Sequence, residues 1–409
     1  MSNDSLPVNH AGVAALLDEL VFSDIVSGAN VLIRHAGKEV LYHEAGVSDV
    51  TSGTKVTRHT LFRLFSMTKP ITAAAVMMLV DDGDLRLDTP IVDHLPEFAD
   101  LGVYVGQDGD GILTTPARPI LVENLLNHTA GFSYWFYPDQ PVAALYAKDP
   151  LINDERWRYD AGLGGHDALI RSLARLPLVA QPGERWHYSM SMDVAGVLIE
   201  RVTGRPLDTF MKERIFDPLV MNDTGFTVAA DQSDRLASLY KPKDGGGVEL
   251  LERGDESPLL KPVPGLAGGG GLVSTIDDYS RFAEMLRRGG ELDGRRLLSK
   301  MSVRAMMTNR LGPDHLGELP GLAAWGLGGT GDGLGFGLGG AVVVHPPANG
   351  VPAFRGEYSW GGAASTTFWI DPASQLTVVF MTQLQPPVGD VPRDRLHSAV
   401  YDSVKEPVA

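Results

Sequence analysis

The chain has 409 residues, 44% of them hydrophobic and 21% charged, which is an ordinary composition for a globular protein with room for a large core. Its 35 lysines and arginines against 51 aspartates and glutamates give a net charge of −16, which disfavours binding to nucleic acid. The absence of cysteine excludes disulfides, thiolate metal sites, iron–sulfur clusters and a cysteine nucleophile.

The sequence shows no pattern typical of a membrane or exported protein. Residues 1–7 are polar and lack the apolar run of a signal peptide. The longest apolar stretch, Ala73 to Val80, is far shorter than the roughly 20 residues that span a bilayer. We therefore expect a soluble, cytoplasmic protein that does not bind membranes.

Strand patterns occur near both ends of the chain, with helical patterns between them. Helices are predicted at about residues 10–22, 70–80, 121–127, 166–175, 192–203, 206–216, 275–288 and 393–404. Strands are predicted at about 31–33, 40–42, 341–344, 357–370 and 376–382, and the first two form a hairpin through Ala36-Gly37-Lys38. The segments 241–271 and 326–340, rich in glycine and proline, are predicted to be loops.

The simplest packing of this pattern pairs the strands of the two ends into one sheet. Residues 1–82 and 335–409 then form an α/β sheet domain, and residues 83–334 form a mainly helical domain inserted into it.

Several common functional motifs are absent or lack the context that they need. Gly-x-Gly-x-x-Gly occurs at 326–331 and 335–340, but in glycine-rich loops rather than between a strand and a helix, so a dinucleotide cofactor is not expected. No Gly-x-Ser-x-Gly is present, which disfavours an α/β-hydrolase. The eleven histidines show no ligand spacing, so we expect no metal.

Ser-x-x-Lys can supply a serine nucleophile together with its base, because residues three apart lie on the same face of a helix. The motif occurs three times, at 52–55, 66–69 and 238–241. The first and third lie in polar turns. Ser66 and Lys69 instead lie at the start of the apolar helix, where a lysine surrounded by apolar groups would lose its proton more easily. The alternative is that Ser66 only caps the helix while Lys69 extends to solvent.

Four segments in order resemble motifs of one superfamily, that of the serine β-lactamases and penicillin-binding proteins, and within it the family VIII carboxylesterases, relatives of class C β-lactamases. The segments are Ser66-Met67-Thr68-Lys69-Pro70, Leu125-Leu126-Asn127-His128-Thr129-Ala130-Gly131, Pro182-Gly183-Glu184-Arg185-Trp186-His187-Tyr188-Ser189 and Trp360-Gly361-Gly362. The resemblance implies a mixed, mainly antiparallel sheet flanked by helices, with an inserted helical domain. It also selects Tyr188 from three Tyr-Ser pairs.

By this resemblance, the catalytic residues are Ser66, Lys69 and Tyr188, with lysine and tyrosine titrating as one coupled unit. The backbone N–H groups of Ser66 and Ala363 form the oxyanion hole. No cofactor or metal is implied, and the partner is a small-molecule ester.

Two departures from class C enzymes concern the substrate. Tyr188-Ser189-Met190 stands where those enzymes have Tyr-x-Asn, and Trp360-Gly361-Gly362 stands where they have Lys-Thr-Gly. An indole at Trp360 in place of an ammonium group favours neutral acyl groups over anionic β-lactams. The aromatic residues Tyr134, Trp135 and Phe136 follow the segment that ends at Gly131, and they are predicted to bind the acyl or alcohol group of the substrate.

We therefore predict a serine hydrolase that cleaves carboxylic esters of short acyl chains and transfers acyl groups to alcohols or amines as a side activity. The alternatives on the same fold are an acyltransferase, a D-amino-acid amidase or peptidase, and a β-lactamase. A non-catalytic ligand-binding relative is the alternative from another class. The sequence leaves the oligomeric state open.

Overall fold

The fold is organised around an eight-stranded sheet built from both ends of the chain. The computed structural model describes residues 10–109, 111–137, 140–153, 155–312, 333–346, 351–386 and 393–401. The strands are β1 Gly28–His35, β2 Lys38–Asp49, β3 Thr54–Lys55, β4 Phe62–Arg63, β5 Gly102–Asp108, β6 Gly111–Pro116, β7 Leu239–Pro242, β8 Val248–Glu252, β9 Val273–Ser274, β10 Glu291–Leu292, β11 Arg295–Arg296, β12 Leu334–Phe336, β13 Ala341–Val343, β14 Tyr358–Gly361, β15 Thr367–Asp371 and β16 Leu376–Met381.

The main sheet has the order β12-β13-β14-β15-β16-β1-β2-β3. Every neighbouring pair in it is antiparallel. The first strand after the N-terminal helix pairs with the last strand of the chain, with Val31 opposite Phe380. The expected pairing of the two ends into one sheet is therefore confirmed.

The helices lie on both faces of this sheet and in the middle of the chain. They are α1 His10–Phe22, α2 Thr68–Asp82, α3 Val122–Leu126, α4 Pro141–Lys148, α5 Pro150–Asn153, α6 Arg156–Tyr159, α7 Gly165–Leu173, α8 Ser191–Thr203, α9 Leu207–Met211, α10 Asp217–Leu219, α11 Ile276–Arg287, α12 Lys300–Met306 and α13 Arg393–Tyr401.

The core has two layers, one on each face of the sheet, because successive side chains of a strand point to opposite faces. Val31 and Ile33 pack with α1 and α13 on one face. Leu32 and Val379 belong to the larger core on the other face, which also contains α2, α8 and α11. This second core continues into the helical region and carries the site described below.

Some sequence predictions need correction in this structure. The predicted single strand at 357–370 is two strands, β14 and β15, joined by a turn. The predicted loop at 241–271 contains the end of hairpin β7–β8, whose strands are only partly buried and so lack a clear hydrophobic pattern. The helix predicted at 206–216 begins as α9 and continues with wider i→i+5 turns over Lys212–Phe216.

The part of 326–340 that the structure describes includes β12, so it is not a loop throughout. Residues 326–332, with the first Gly-x-Gly-x-x-Gly, and 402–404 of the last predicted helix lie outside the described residues. Within the described ranges, no helix is long and apolar enough to cross a bilayer. The division into domains at residues 83 and 335 stays a prediction.

Candidate active site

Ser66 lies in a short turn immediately before the buried helix α2. Residues Phe65–Met67 form a 3₁₀ turn, and Phe65 has a left-handed backbone with φ of +45°. Leu64 donates its N–H to the carbonyl of Leu272, and Tyr279 Oη donates to the carbonyl of Met67. Backbone contacts on both sides of Ser66 therefore fix this turn, and its side chain is left half-buried at a cavity.

Lys69 extends along α2 toward Ser66 and not to solvent. All residues of α2 from Thr68 to Leu79 are buried, and Lys69 is 1% exposed. Its Nζ donates to Ser66 Oγ at 3.2 Å and to the carbonyl of Gly269 at 2.6 Å. The alternative of a lysine extending to solvent is therefore wrong for this residue.

Tyr188 also contacts Ser66. Its Oη donates to Ser66 Oγ at 2.7 Å, and Lys69 Nζ lies 4.7 Å from the centre of its ring. Tyr137 Oη donates to the backbone carbonyl of Tyr188 at 2.8 Å. The structure thus brings Ser66, Lys69 and Tyr188 together around one oxygen atom.

The other two Ser-x-x-Lys motifs lie in different surroundings. Ser52 is exposed in a turn. Ser238 donates to Asp49, and Lys241 forms an ion pair with Glu249. Neither pair has the buried lysine found at position 69.

Asp193 and Gly269 are site residues that the sequence analysis missed. Asp193 lies on α8, is 4% exposed, and accepts the N–H of Gly269 at 2.9 Å through Oδ1. Burial raises the pKa of Asp193, against the opposing effects of the Lys69 charge and this hydrogen bond. A carboxylate among the apolar residues of α8 was the signal that could have revealed it.

The segment after β14 contacts the turn that holds Ser66. A Cβ on Gly362 would lie 2.3 Å from the carbonyl oxygen of Leu64, so only glycine allows this approach. Ala363 follows at once and lines the same cavity as Ser66. The chain path therefore brings Ala363 to the cavity. The role of its backbone N–H as an oxyanion-hole donor stays a prediction.

Trp360 does not occupy the position that the sequence analysis gave it. It is 0% exposed, and Gly361 and Gly362 are also buried. Its ring packs 5.5 Å from that of Tyr188 and 5.1 Å from that of Phe336, and its Nε1 has no partner among the described residues. Because β14 directs this side chain into the core, the Trp360 indole packs against the Tyr188 ring and does not line the cavity beside Ser66.

The buried ring of His128 also packs against the Tyr188 ring. Its ring centre is 4.8 Å from that of Tyr188, and neither ring nitrogen has a partner among the described residues. Burial, and then the charge of Lys69, hold the pKa of His128 well below its usual value. The histidine therefore contributes a neutral ring to the tyrosine's surroundings.

A cavity of about 260 Å³ opens beside Ser66. The predicted aromatic residues Tyr134, Trp135 and Phe136 line it, and the rings of Tyr134 and Phe136 stack at 4.7 Å. Other described residues of its wall are Phe65, Glu155, Trp157, Arg158, Tyr188, Met190, Asp193, Ala267, Gly269, Gly270, Ala363 and Gln385. The space next to the serine is thus mainly aromatic, with a few charged groups.

No cofactor or metal site emerges in the part of the chain that the structure describes. The second Gly-x-Gly-x-x-Gly spans β12 and the turn to β13, with no helix after it. No cluster of three or more histidine, aspartate or glutamate side chains is suited to a metal ion among the described residues.

Comparison with known proteins identifies the relatives of this chain. The family model described as Beta-lactamase matches residues 13–402. An uncharacterized protein of Mycobacterium tuberculosis is 37% identical over 93% of this chain and 91% of its own length. Esterase EstB of Burkholderia gladioli is 33% identical over 79% of this chain and 77% of its own length.

A solved structure with the same fold is that of EstCE1, described as a hydrolase with promiscuous acyltransferase activity. It superposes with a TM-score of 0.79 at 26% identity, over 96% of this chain and 98% of the EstCE1 chain. The predicted fold class is therefore confirmed.

Proposed function

We propose that this chain, which belongs to the Beta-lactamase family, hydrolyses carboxylic esters of short acyl chains through an acyl-enzyme on Ser66. The observation that carries the proposal is the convergence of Tyr188 Oη and Lys69 Nζ on Ser66 Oγ, at 2.7 and 3.2 Å. A serine hydroxyl becomes a nucleophile only when a base takes its proton, and this pair is within reach to do so. The similarity to esterase EstB supports ester chemistry.

In the first half-reaction, Ser66 Oγ attacks the ester carbonyl carbon while its proton passes to the Lys69–Tyr188 pair. The carbonyl oxygen becomes an oxyanion, which the N–H groups of Ser66 and Ala363 are proposed to bind. The C–O bond to the alcohol then breaks, and the leaving oxygen takes its proton from Tyr188. Each oxyanion donor contributes about 100-fold or more to such rates.

In the second half-reaction, water attacks the acyl-enzyme and gives a proton to the pair, which then returns one to Ser66 Oγ. An alcohol or amine that replaces the water yields a new ester or amide, so acyl transfer is the second candidate activity. The aromatic wall formed by Tyr134, Trp135 and Phe136 favours it, because such a surface binds an organic acceptor better than water. EstCE1, whose fold this chain shares, is described with both activities.

Within the superfamily, we propose from the resemblance of its motifs that the chain is a family VIII carboxylesterase, and we predict a cytoplasmic location from the sequence. β-Lactam hydrolysis is expected to be weak, because the buried Trp360 stands where class C enzymes have a lysine. Nitrocefin cleavage as fast as ester cleavage would contradict this ranking.

Hydrolysis of p-nitrophenyl butyrate tests the main proposal. We expect turnover by the wild type and a loss of at least about a thousandfold in Ser66→Ala. Ser52→Ala is the matched control, because Ser52 belongs to an exposed copy of the same motif. A fluorophosphonate probe should add its mass to Ser66. No turnover, or labelling at another serine, would overturn the proposal.

Acyl transfer is tested by adding a primary alcohol to the same assay and measuring the new ester by chromatography. We expect ester product that increases with alcohol concentration and disappears in Ser66→Ala. Hydrolysis product alone would remove this second activity.

A further inference from the structure

His166, a buried histidine that the proposed mechanism does not use, binds an acceptor through each of its ring nitrogens. It is the second residue of α7 and is 9% exposed. Its Nδ1 lies 2.6 Å from Glu200 Oε2, and its Nε2 lies 2.7 Å from the carbonyl oxygen of Leu266. An ionised carboxylate and a carbonyl oxygen only accept hydrogen bonds, so both nitrogens must donate. The ring of His166 is therefore an imidazolium.

The groups around His166 stabilise this charge. Burial alone lowers the pKa of His166, but the hydrogen bond and the charge of Glu200 outweigh burial, helped by the Leu266 carbonyl and the charge of Asp193, so the pKa lies above its usual value. Glu200 Oε1 also accepts the N–H of Leu207 at 2.8 Å. The carboxylate that faces His166 is thus fixed through both of its oxygens.

Helix α7 packs directly against segment 264–270, which contains Leu266. A Cβ on Gly165 would lie 2.5 Å from the carbonyl oxygen of Pro264, so the start of the helix and this segment are in backbone contact. Downstream of Leu266, three residues of the same segment line the cavity beside Ser66. They are Ala267, Gly269 and Gly270. His166 therefore binds a segment that forms part of the wall of the candidate active site.

The same segment also orients the lysine of the site. The carbonyl of Gly269 accepts from Lys69 Nζ at 2.6 Å, and the carbonyl of Gly268 accepts from Thr72 Oγ1 at 2.7 Å. These two bonds come from α2. The bond from His166 holds the segment from α7, two to three residues earlier in the chain, so the position of the Gly269 carbonyl depends on contacts with both helices.

We propose that His166 is a positioning residue for the reaction at Ser66: its bond to Leu266 fixes segment 264–270, which presents the Gly269 carbonyl to Lys69. This inference rests on the proposed esterase function and deepens it. Without that bond, Lys69 is directed less well at Ser66 Oγ, and the chemical step slows because proton transfer depends on the alignment of the two atoms.

Two variants separate the bond to Leu266 from the bond to Glu200. The amide nitrogen of glutamine reaches about as far from the backbone as Nε2 of histidine, and that of asparagine about as far as Nδ1. His166→Gln therefore keeps a donor for Leu266 and loses the one for Glu200, whereas His166→Asn does the reverse. Both variants lose the ring and its charge.

The kinetics with p-nitrophenyl butyrate should follow the bond to Leu266. We expect kcat per folded molecule to fall at least about tenfold in His166→Asn, with KM within about twofold of the wild type, and to stay within about threefold in His166→Gln. Ser172→Ala is the matched control, because it removes a buried hydrogen bond of the same helix, to Asp149 Oδ2 at 2.8 Å. It should lower the melting temperature and keep kcat.

Nitrogen NMR tests the charge of the ring directly. Signals of His166 are identified as those that disappear in His166→Gln. At pH 7.5 both ring nitrogens should carry protons, whereas a histidine with the usual pKa of about 6.5 is mostly neutral and carries one.

Each part of the proposal can fail separately. A full kcat in folded His166→Asn, or a loss in His166→Gln as large as in His166→Asn, would overturn the positioning role. A single ring proton at pH 7.5 would also overturn it, because one of the two hydrogen bonds could then not exist. If His166→Asn does not fold, His166→Gln and the spectra decide, and a tenfold fall of kcat in His166→Gln would overturn the proposal.

Failure of the proposed function gives a different result. The wild type would then cleave no ester at all, and this inference would fall with the function even if the spectra showed an imidazolium. Normal cleavage by the wild type with an unchanged kcat in His166→Asn would instead overturn the role of His166 alone.

Discussion

Asp193 and Lys69 bind the two backbone polar groups of Gly269. The N–H of Gly269 donates to Asp193 Oδ1 at 2.9 Å, and its carbonyl accepts from Lys69 Nζ at 2.6 Å. Asp193 lies five residues after Tyr188, so one short stretch of chain supplies both the phenol and the group that orients the lysine's acceptor. A Cβ on Gly269 would lie 2.5 Å from Asp193 Oδ2, so a side chain at 269 would disturb this arrangement.

The first prediction concerns Asp193 as a positioning residue. Asp193→Ala removes both the acceptor for Gly269 and the negative charge, and we expect kcat to fall by at least about tenfold, in line with the loss of one buried hydrogen bond to a charged group. Asp193→Asn keeps an acceptor and removes the charge. It should lose less activity than Asp193→Ala, because its side chain can still accept the N–H of Gly269.

The split between kcat and KM separates this role from a merely structural one. A variant that was only packed less well would have a lower melting temperature and an unchanged kcat per folded molecule. A normal rate in Asp193→Ala would contradict the prediction.

A second prediction tests the hydroxyl of Tyr188. Tyr188→Phe keeps the ring packed against Trp360 and His128, so we expect little change in melting temperature. The base and acid function is lost, and kcat should fall by about 10²–10⁴. Burst kinetics with p-nitrophenyl butyrate would show whether acylation slows as well as turnover.

Tyr358→Phe is the matched control, because it removes the hydroxyl of another buried tyrosine that precedes a serine. Its Oη donates to the carbonyl of Leu338. We expect a stability loss of about 0.5–1.5 kcal/mol with catalysis retained. Equal activity losses in the two variants would show that Tyr188 has no special role.

The third prediction concerns the approach of Gly362 to the serine turn. In Gly362→Ala the new methyl group would lie 2.2 Å from Thr366 Oγ1 and 2.3 Å from the carbonyl oxygen of Leu64. The segment must move, which should cost about 1–3 kcal/mol of stability and displace Ala363. We expect kcat to fall more than KM rises, because an oxyanion donor acts in the transition state.

Gly225→Ala serves for comparison, since the nearest atom to a Cβ there, outside the adjoining residues, is the carbonyl oxygen of Thr227 at 3.7 Å. It should retain both stability and kcat. If Gly362→Ala also keeps full kcat, Ala363 is not part of the oxyanion hole.

The fourth prediction is a pH dependence of stability from His187. Burial, and secondarily the charge of Arg185, lower the pKa of His187 to about 4. The unfolded chain therefore binds a proton at pH 4–6.5 that the folded chain does not, so stability is fully present above pH 6.5 and is lost as the pH falls toward 4. The loss can reach about 3 kcal/mol.

Urea unfolding between pH 4 and 7 measures this effect. His187→Gln, which can still bond to Ser133 Oγ, should lose less stability over that interval than the wild type. His59→Gln, at an exposed histidine, should follow the wild type. Parallel curves for wild type and His187→Gln would contradict the prediction.

The sequence was most informative where the site depends on local spacing. Ser66 and Lys69 are three residues apart, so one helical turn suffices to bring them together, and the residues before Tyr188 distinguish it from two other Tyr-Ser pairs. The apolar pattern of α2 correctly predicts that the lysine is walled in. The pairing of the first and last strands follows from placing strands at both ends of the chain.

What the sequence could not provide depends on contacts between distant segments. The hydrogen bond between Asp193 and Gly269 joins residues 76 positions apart, and no local sequence pattern indicates it. The inward orientation of Trp360 is set by the pairing of β14 with β15, in which Trp360 lies opposite Phe368. The hairpins β5–β6 and β7–β8 were missed because few of their residues are buried and their strands carry little hydrophobic alternation.

The burial of Trp360 also restricts how this chain could evolve toward penicillin cleavage. Replacing the indole with the lysine of class C enzymes would put an ammonium group into a fully buried position beside the rings of Tyr188 and Phe336, where a charge is costly. Such a charge would first have to be turned outward by a change in the strand itself. A single codon change at this position would therefore yield a damaged core and not a new antibiotic-resistance enzyme.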